Sequence, residues 1–203
     1  MVMSDPPPEA YDSLTRDNVA VIFIDLQVGP LSTIRTIDQQ ELKQNAIALA
    51  TVAQMFDLPT FFAMGSQTGP GAAFLPELLQ TRPEHTLVKH SRANVWETPE
   101  LPATLKQTGR KKLIMAGIAA EIGLLFPVLS AIAAGYNVYV ATDVCGTITA
   151  RGEQAAFTRM TQAGAIMSSW ASLAVEILKD FSAEHGRDVL GLINKQLLED
   201  RDA

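Results

Sequence analysis

VAVIFID, residues 19–25, is six consecutive apolar residues closed by an acid. A strand with one face in water alternates apolar and polar side chains, and this one does not. It must be covered on both faces, which calls for a parallel sheet held between two layers of helices. The rest of the chain keeps the pattern. LPTFFAM (58–64), TLVKH (86–90), KKLIMAG (111–117), NVYVATD (137–143) and AIMSSW (165–170) read as five further strands. Helical segments separate them. In 37–57, Leu42, Ala46, Leu49, Val52, Ala53 and Phe56 recur near helical spacing. In 98–109, Thr98-Pro99 and Gly109 supply a helix start and stop. Further helices are expected from about 122, over 151–164, and at the end of the chain over 171–181 and 188–199.

Strand–helix alternation with right-handed crossovers predicts a three-layer α/β/α, Rossmann-like fold: a six-stranded parallel sheet of order 3-2-1-4-5-6. Strands 1 and 4 are then neighbours, and ligands of such sheets bind at the carboxyl edge between them. Two segments end there, FIDLQVG with Asp25 and GIAAEIGLLFP (117–127). No repeat or linker is visible, so residues 1–203 read as a single domain, with the Pro-rich start, 1–14, as a flexible arm.

Net charge is −6 and no basic stripe is present, which argues against nucleic acid as a partner. GRKK, 109–112, reads as a solvated turn. No apolar run approaches the roughly 20 residues that span a bilayer, so no membrane partner is expected. The start lacks the basic and apolar regions of a signal peptide. The single cysteine, Cys145, permits no intramolecular disulfide, which fits a reducing, cytoplasmic setting.

Asp25 closes a wholly apolar strand. A half-buried carboxylate in that place favours its protonated form unless a cation lies near. Lys89, at the end of strand 3 on the same edge, is the cation the sequence offers. Pro127 constrains the opposite wall. Inside a helix it would clash with the carbonyl of Gly123, so the helix should begin near 122–124 with Pro127 in its first turn. The N–H groups of that turn would lack helical partners and face the crevice as an anion or oxyanion site. No G-x-G-x-x-G follows strand 1 and no G-x-x-x-x-G-K-[ST] occurs, so no nucleotide cofactor is expected. His85 and His90 are five apart and would point to opposite faces of a strand, which argues against a metal site. Cys145 follows strand 5, about 10 Å from Asp25, and reads as a buried structural thiol.

Asp25 in VIFIDLQ, Lys89 after strand 3, and G-I-A-A-E-I at the strand 4 turn together resemble the isochorismatase-like hydrolases, over about residues 15–180. Within that superfamily the chain looks most like a bacterial subgroup of oligomeric hydrolases of unassigned substrate. The shared features are the LPT strand, a QTGP loop (67–70), Asn94 and Trp96 of an N-x-W segment, and FPxLSAIxxG (126–135). The resemblance implies a triad of Asp, Lys and Cys, in which Asp25 and Lys89 match the first two. It also implies a cis peptide at Ile118–Ala119, and a site lined by Gln27, Asn94, Trp96, Ile118, Ala119 and Ile122. The family cysteine falls at Gly123, and Cys145 does not match it.

Glycine cannot attack a carbonyl, so covalent amidase or nicotinamidase chemistry is not expected. The isochorismatases proper also lack the cysteine, and the vinyl-ether hydrolysis of that group needs a proton donor and water rather than a thiolate. The resemblance therefore implies a small-molecule hydrolase with Asp25 as acid/base, Lys89 as its partner and Gln27 positioning water or substrate. The R-Y-S-A-F-like segment of true isochorismatases is replaced by HSRANVW, so the substrate can differ. The alternative is a catalytically impaired relative that binds a small molecule or serves in an assembly. Gly123 can also leave room for a bulkier ligand where relatives place sulfur. Residues 122–134, IGLLFPVLSAIAA, are apolar nearly all round, which predicts a homo-oligomer with this helix near the interface.

Overall fold

The computed structural model describes residues 12–196. Its strands are β1 (Val19–Ile24), β2 (Thr60–Gly65), β3 (Thr86–His90), β4 (Lys112–Ile118), β5 (Asn137–Gly146) and β6 (Ile166–Ser168). They form one sheet of order β3-β2-β1-β4-β5-β6, every pair parallel. The helices are α1 (Val28–Thr33), α2 (Gln39–Met55), α3 (Pro76–Thr81), α4 (Glu100–Gln107), α5 (Leu125–Ala133), α6 (Ala150–Gln162), α7 (Trp170–Leu178) and α8 (Gly186–Asn194). The expected fold class is the observed one. The short helices α1 and α3 add to the expected elements and lie on either side of the QTGP segment in the chain.

The two faces of β1 explain its unbroken apolar run. Val19, Val21 and Phe23 pack with Leu42 and Leu49 of α2 and with Trp170 and Leu173 of α7. Ala20, Ile22 and Ile24 pack with Leu101 and Leu105 of α4, Val128 of α5 and Met160 of α6. All six residues of β1 are fully buried. Helix starts follow local chemistry. Asp38 accepts from the N–H groups of Gln40 and Glu41 to cap α2, and Thr149 accepts from Gly152 to cap α6.

Two expectations at the edges of the chain need correcting. Residues 1–11 of the expected arm lie outside the described residues. Residues 12–14 are not an arm: Leu14 is fully buried, and its N–H donates to Glu176 at 2.8 Å. GRKK is not wholly solvated either. Lys112 is only 2% exposed and pairs with Asp12 at 2.8 Å. β4 begins at Lys112, so this side chain lies under residues 12 and 13, where a buried ammonium needs such a partner.

Between β1 and β4 the backbones approach so closely that a Cβ on Gly117 would overlap the Ile24 carbonyl. Gly117→Ala is therefore expected to lower unfolding free energy by about 1–3 kcal/mol or more, read in urea. Gly109→Ala, a left-handed glycine (φ +69°) with open space around it, is expected to cost only about 1 kcal/mol. Equal losses would contradict the close-approach account.

Candidate functional site

The carboxyl ends of β1, β2, β3 and β4 meet at Asp25. Directly after β1 the chain turns into α1, and Asp25 takes a positive φ of 54° to make that turn. Aspartate tolerates this region better than most residues. Its N–H still bonds the Ala63 carbonyl at 2.9 Å, so the residue remains tied to the sheet. Oδ1 accepts from the Gly65 N–H at 2.9 Å and lies 3.0 Å from His90 Nε2. The other ring nitrogen, Nδ1, is 2.8 Å from the Arg92 carbonyl oxygen. The side chains of Asp25 and His90 are 18% and 5% exposed.

Lys89 is not the partner of Asp25. Along β3, Val88 and His90 are buried whereas Leu87 and Lys89 are exposed, as alternation on a strand requires. Among the described residues no hydrogen bond or ion pair joins Lys89 to Asp25; the contact belongs to His90. In the sequence His90 stands out only as a histidine five residues from His85. Its signal was the two-residue spacing from Val88, which Leu87 obscured by making both faces of TLVKH look apolar.

Burial pushes the His90 imidazole toward neutrality. The Asp25 hydrogen bond and the Arg92 carbonyl outweigh that, and its pKa stands above the ordinary value of 6.5.

The opposite wall is the turn after β4. The Ile118–Ala119 peptide is cis. Residues Ala120–Leu124 form one π-type turn that runs directly into α5, and Pro127, the third residue of α5, follows that widened turn. The expected free N–H groups are not there. Those of Ile122, Gly123 and Leu124 converge on the Ala119 carbonyl at 3.0, 2.8 and 3.4 Å. The wide turn that accommodates Pro127 thus satisfies the donors assigned to an anion site.

The expected space beside Gly123 is also closed. A Cβ there would lie 2.8 Å from Asp25 Oδ2 and 2.8 Å from the Ile118 carbonyl oxygen. Here the carboxylate comes up against the backbone of Gly123.

The remaining expected site residues divide. Gln27 is fully buried, with Nε2 donating to the Ala72 carbonyl at 2.6 Å and Oε1 accepting from the Gly65 N–H at 2.9 Å. It ties the QTGP loop to β2 and has no free group for water. Asn94 caps a short turn through Trp96 N–H and donates to Ser130 of α5, and the Trp96 ring meets Tyr136 edge-on at 5.6 Å. Both pack against the α5 region. Ile118 is buried in the core and Ala119 half-buried, whereas Ile122 is 55% exposed on the outer surface. Cys145 is buried, its thiol directed at the Ala141 carbonyl, and burial pushes its pKa up to about 12. It cannot supply a thiolate near neutrality. An open cleft of about 1050 Å³ lies beside α1, α2 and α3, but its lining includes neither Asp25 nor Gly123. It carries a Lys43–Glu77 ion pair, and chemistry rather than size therefore selects the Asp25 site.

Residues 19–172 match the Isochorismatase domain family. The chain is 36% identical over 172 residues to a probable hydrolase, YcaC, of Escherichia coli K12, covering 84% of this chain and 83% of that one. It superposes on the structure of the E. coli YcaC protein, an octameric hydrolase of unknown specificity, with a TM-score of 0.87 at 33% identity, covering 95% and 94% of the two chains. YcaC from Pseudomonas aeruginosa, solved with hexane-2,5-diol and covalent acrylamide, gives 0.87 at 34% identity and 93% of each chain.

A histidine whose folded pKa exceeds its unfolded value contributes stability that is complete below the unfolded value and is lost as pH rises through the folded one. His90→Gln is therefore expected to cost most below about pH 6, with the gap to wild type narrowing as pH climbs past 6.5. Urea unfolding at several pH values reads this. A gap that widens with pH would contradict it.

Proposed function

The chain belongs to the Isochorismatase domain family, and on that premise we propose that it hydrolyses a small molecule without a covalent thiol intermediate. The observation that carries this is the pairing of a poised carboxylate, Asp25, with glycine at 123. Asp25 sits at the switch point where ligands of open α/β sheets bind. It is held by two hydrogen bonds to Oδ1, and Oδ2 accepts none among the described residues. A carboxylate in that state can exchange a proton with substrate or water. Attack by a thiolate has no candidate, since Gly123 has no side chain and Cys145 is buried and protonated.

A second reading, a binder that has lost its chemistry, is favoured by the Ala119 carbonyl, which engages the donors an oxyanion would need. One experiment separates the two. Purified protein is assayed on isochorismate, simple amides and a p-nitrophenyl ester, beside Asp25→Asn, with ligand binding followed by thermal shift. The hydrolase reading expects turnover of one class and a loss of about 100-fold or more in Asp25→Asn. Equal turnover by the two proteins sinks the assignment of Asp25. Binding without turnover transfers the conclusion to the second reading.

The protein is further proposed to act as a homo-oligomer in the cytoplasm. The YcaC relative is octameric, and among the described residues no helix is long and apolar enough to cross a membrane. On this chain Ile122 and Phe126 are 55% and 40% exposed. With half-buried Leu129 and exposed Ala133 they form one stripe at helical spacing along the outer side of α5. Arg159 lies over the Phe126 ring at 5.9 Å and flanks the stripe with charge. Sedimentation at micromolar concentration should give a species heavier than a monomer, and Phe126→Asp should shift it toward the monomer. A monomeric wild type contradicts the proposal.

A further inference from the structure

The Asp25–His90 contact admits few arrangements of protons. The Arg92 carbonyl oxygen can only accept, so His90 Nδ1, 2.8 Å away, carries a hydrogen. Nε2 lies 3.0 Å from Asp25 Oδ1. A bare Nε2 against a bare carboxylate oxygen would oppose two lone pairs, so a proton belongs between them. It sits either on Nε2, giving imidazolium and carboxylate, or on Oδ1, giving two neutral groups. In neither case does Oδ2 carry it. Two neighbours favour the charged form. The Gly65 N–H donates to Oδ1 at 2.9 Å, which stabilises the ionised oxygen, and the Arg92 carbonyl stabilises the imidazolium.

The surroundings of His90 add no competing charge. From β1 the ring meets Asp25, and among the described residues this is its one ion-pair contact. From β2, Ser66 bonds only the His90 carbonyl. Beyond β3, Arg92 offers its carbonyl while its guanidinium reaches Glu97 at 3.4 Å, and Lys89 lies on the other face of the strand. Oδ2 is turned toward Gly123 and remains within reach of water, since the Asp25 side chain is not sealed.

We propose that His90, as a positioning residue, holds Asp25 as the carboxylate of an ion pair at neutral pH, so that Oδ2 works as a general base and the substrate is a carbonyl compound opened by water. The base role rests on the hydrolase reading above; the placement of the proton does not. In the step, Oδ2 takes a proton from water and the water oxygen bonds to the carbonyl carbon. The tetrahedral centre then expels its leaving group, which takes the proton back from Oδ2. Hydrolysis of a vinyl ether runs the other way. It needs a proton delivered to carbon from Oδ2, hence a second proton on the pair, and belongs to acidic pH.

The test is NMR of the full-length protein labelled with ¹⁵N in histidine and ¹³C in the aspartate carboxyl, with His90 identified by its loss in His90→Gln. At pH 7 both His90 nitrogens should be protonated beside an ionised Asp25. The imidazole should titrate above about 6.5, the ordinary histidine value. Asp25→Asn should bring that midpoint down, and Lys89→Met should leave it in place. A His90 that is neutral at pH 7, or whose midpoint ignores Asp25→Asn, overturns the proposal. Failure of the hydrolase reading looks different: no turnover of isochorismate, amide or p-nitrophenyl ester by a protein whose His90 titrates as described.

Discussion

Asp25 Oδ1 joins the ends of three strands. Asp25 follows β1, Gly65 ends β2 and donates to Oδ1, and His90 ends β3 and reaches the same oxygen across the width of β2. β4 then places Gly123 on the other side of the carboxylate. The arrangement requires the sheet order 3-2-1-4. It also requires Asp25 to leave β1 with a positive φ, which directs the chain into α1 while its N–H stays on Ala63. The half-buried carboxylate is met at Oδ1 by the His90 ring and an N–H donor, as its partial removal from water demands.

Glycine at 123 shapes the wall opposite the carboxylate. Asp25 Oδ2 and the Ile118 carbonyl both come within 2.8 Å of the point where a Cβ would lie. The N–H groups of the following turn close on Ala119. The wall of the candidate site is therefore a self-satisfied backbone turn that faces a carboxylate. This favours chemistry in which water, not the protein, forms the new bond.

The sheet was legible because its strands are uniformly apolar and regularly spaced. VAVIFID calls for a parallel sheet covered on both faces, and right-handed crossovers then favour the order 3-2-1-4-5-6. Asp25 was legible for the same reason, as the one acid on a buried strand at the switch point. Its partner was not. β3 lies at the edge of the sheet, where a one-residue choice of face decides between Lys89 and His90. TLVKH carries apolar residues on both faces, and charge alone pointed to lysine. The expected anion site failed for a different reason. Pro127 fixes where a regular helix can start, but not that a wide turn would precede it and engage the same N–H groups. Leu14 and Lys112 were misread because the Pro-rich start and the basic run dominate the local pattern, whereas their burial depends on α7 and on each other's segments.

The most direct measurement of the central claim is a pair of double-mutant cycles on unfolding free energy, Asp25→Asn with His90→Gln and Asp25→Asn with Lys89→Met, at pH 6. A coupling of about 1–3 kcal/mol is predicted for Asp25 with His90, and about zero for Asp25 with Lys89. Coupling confined to the lysine cycle would contradict the account.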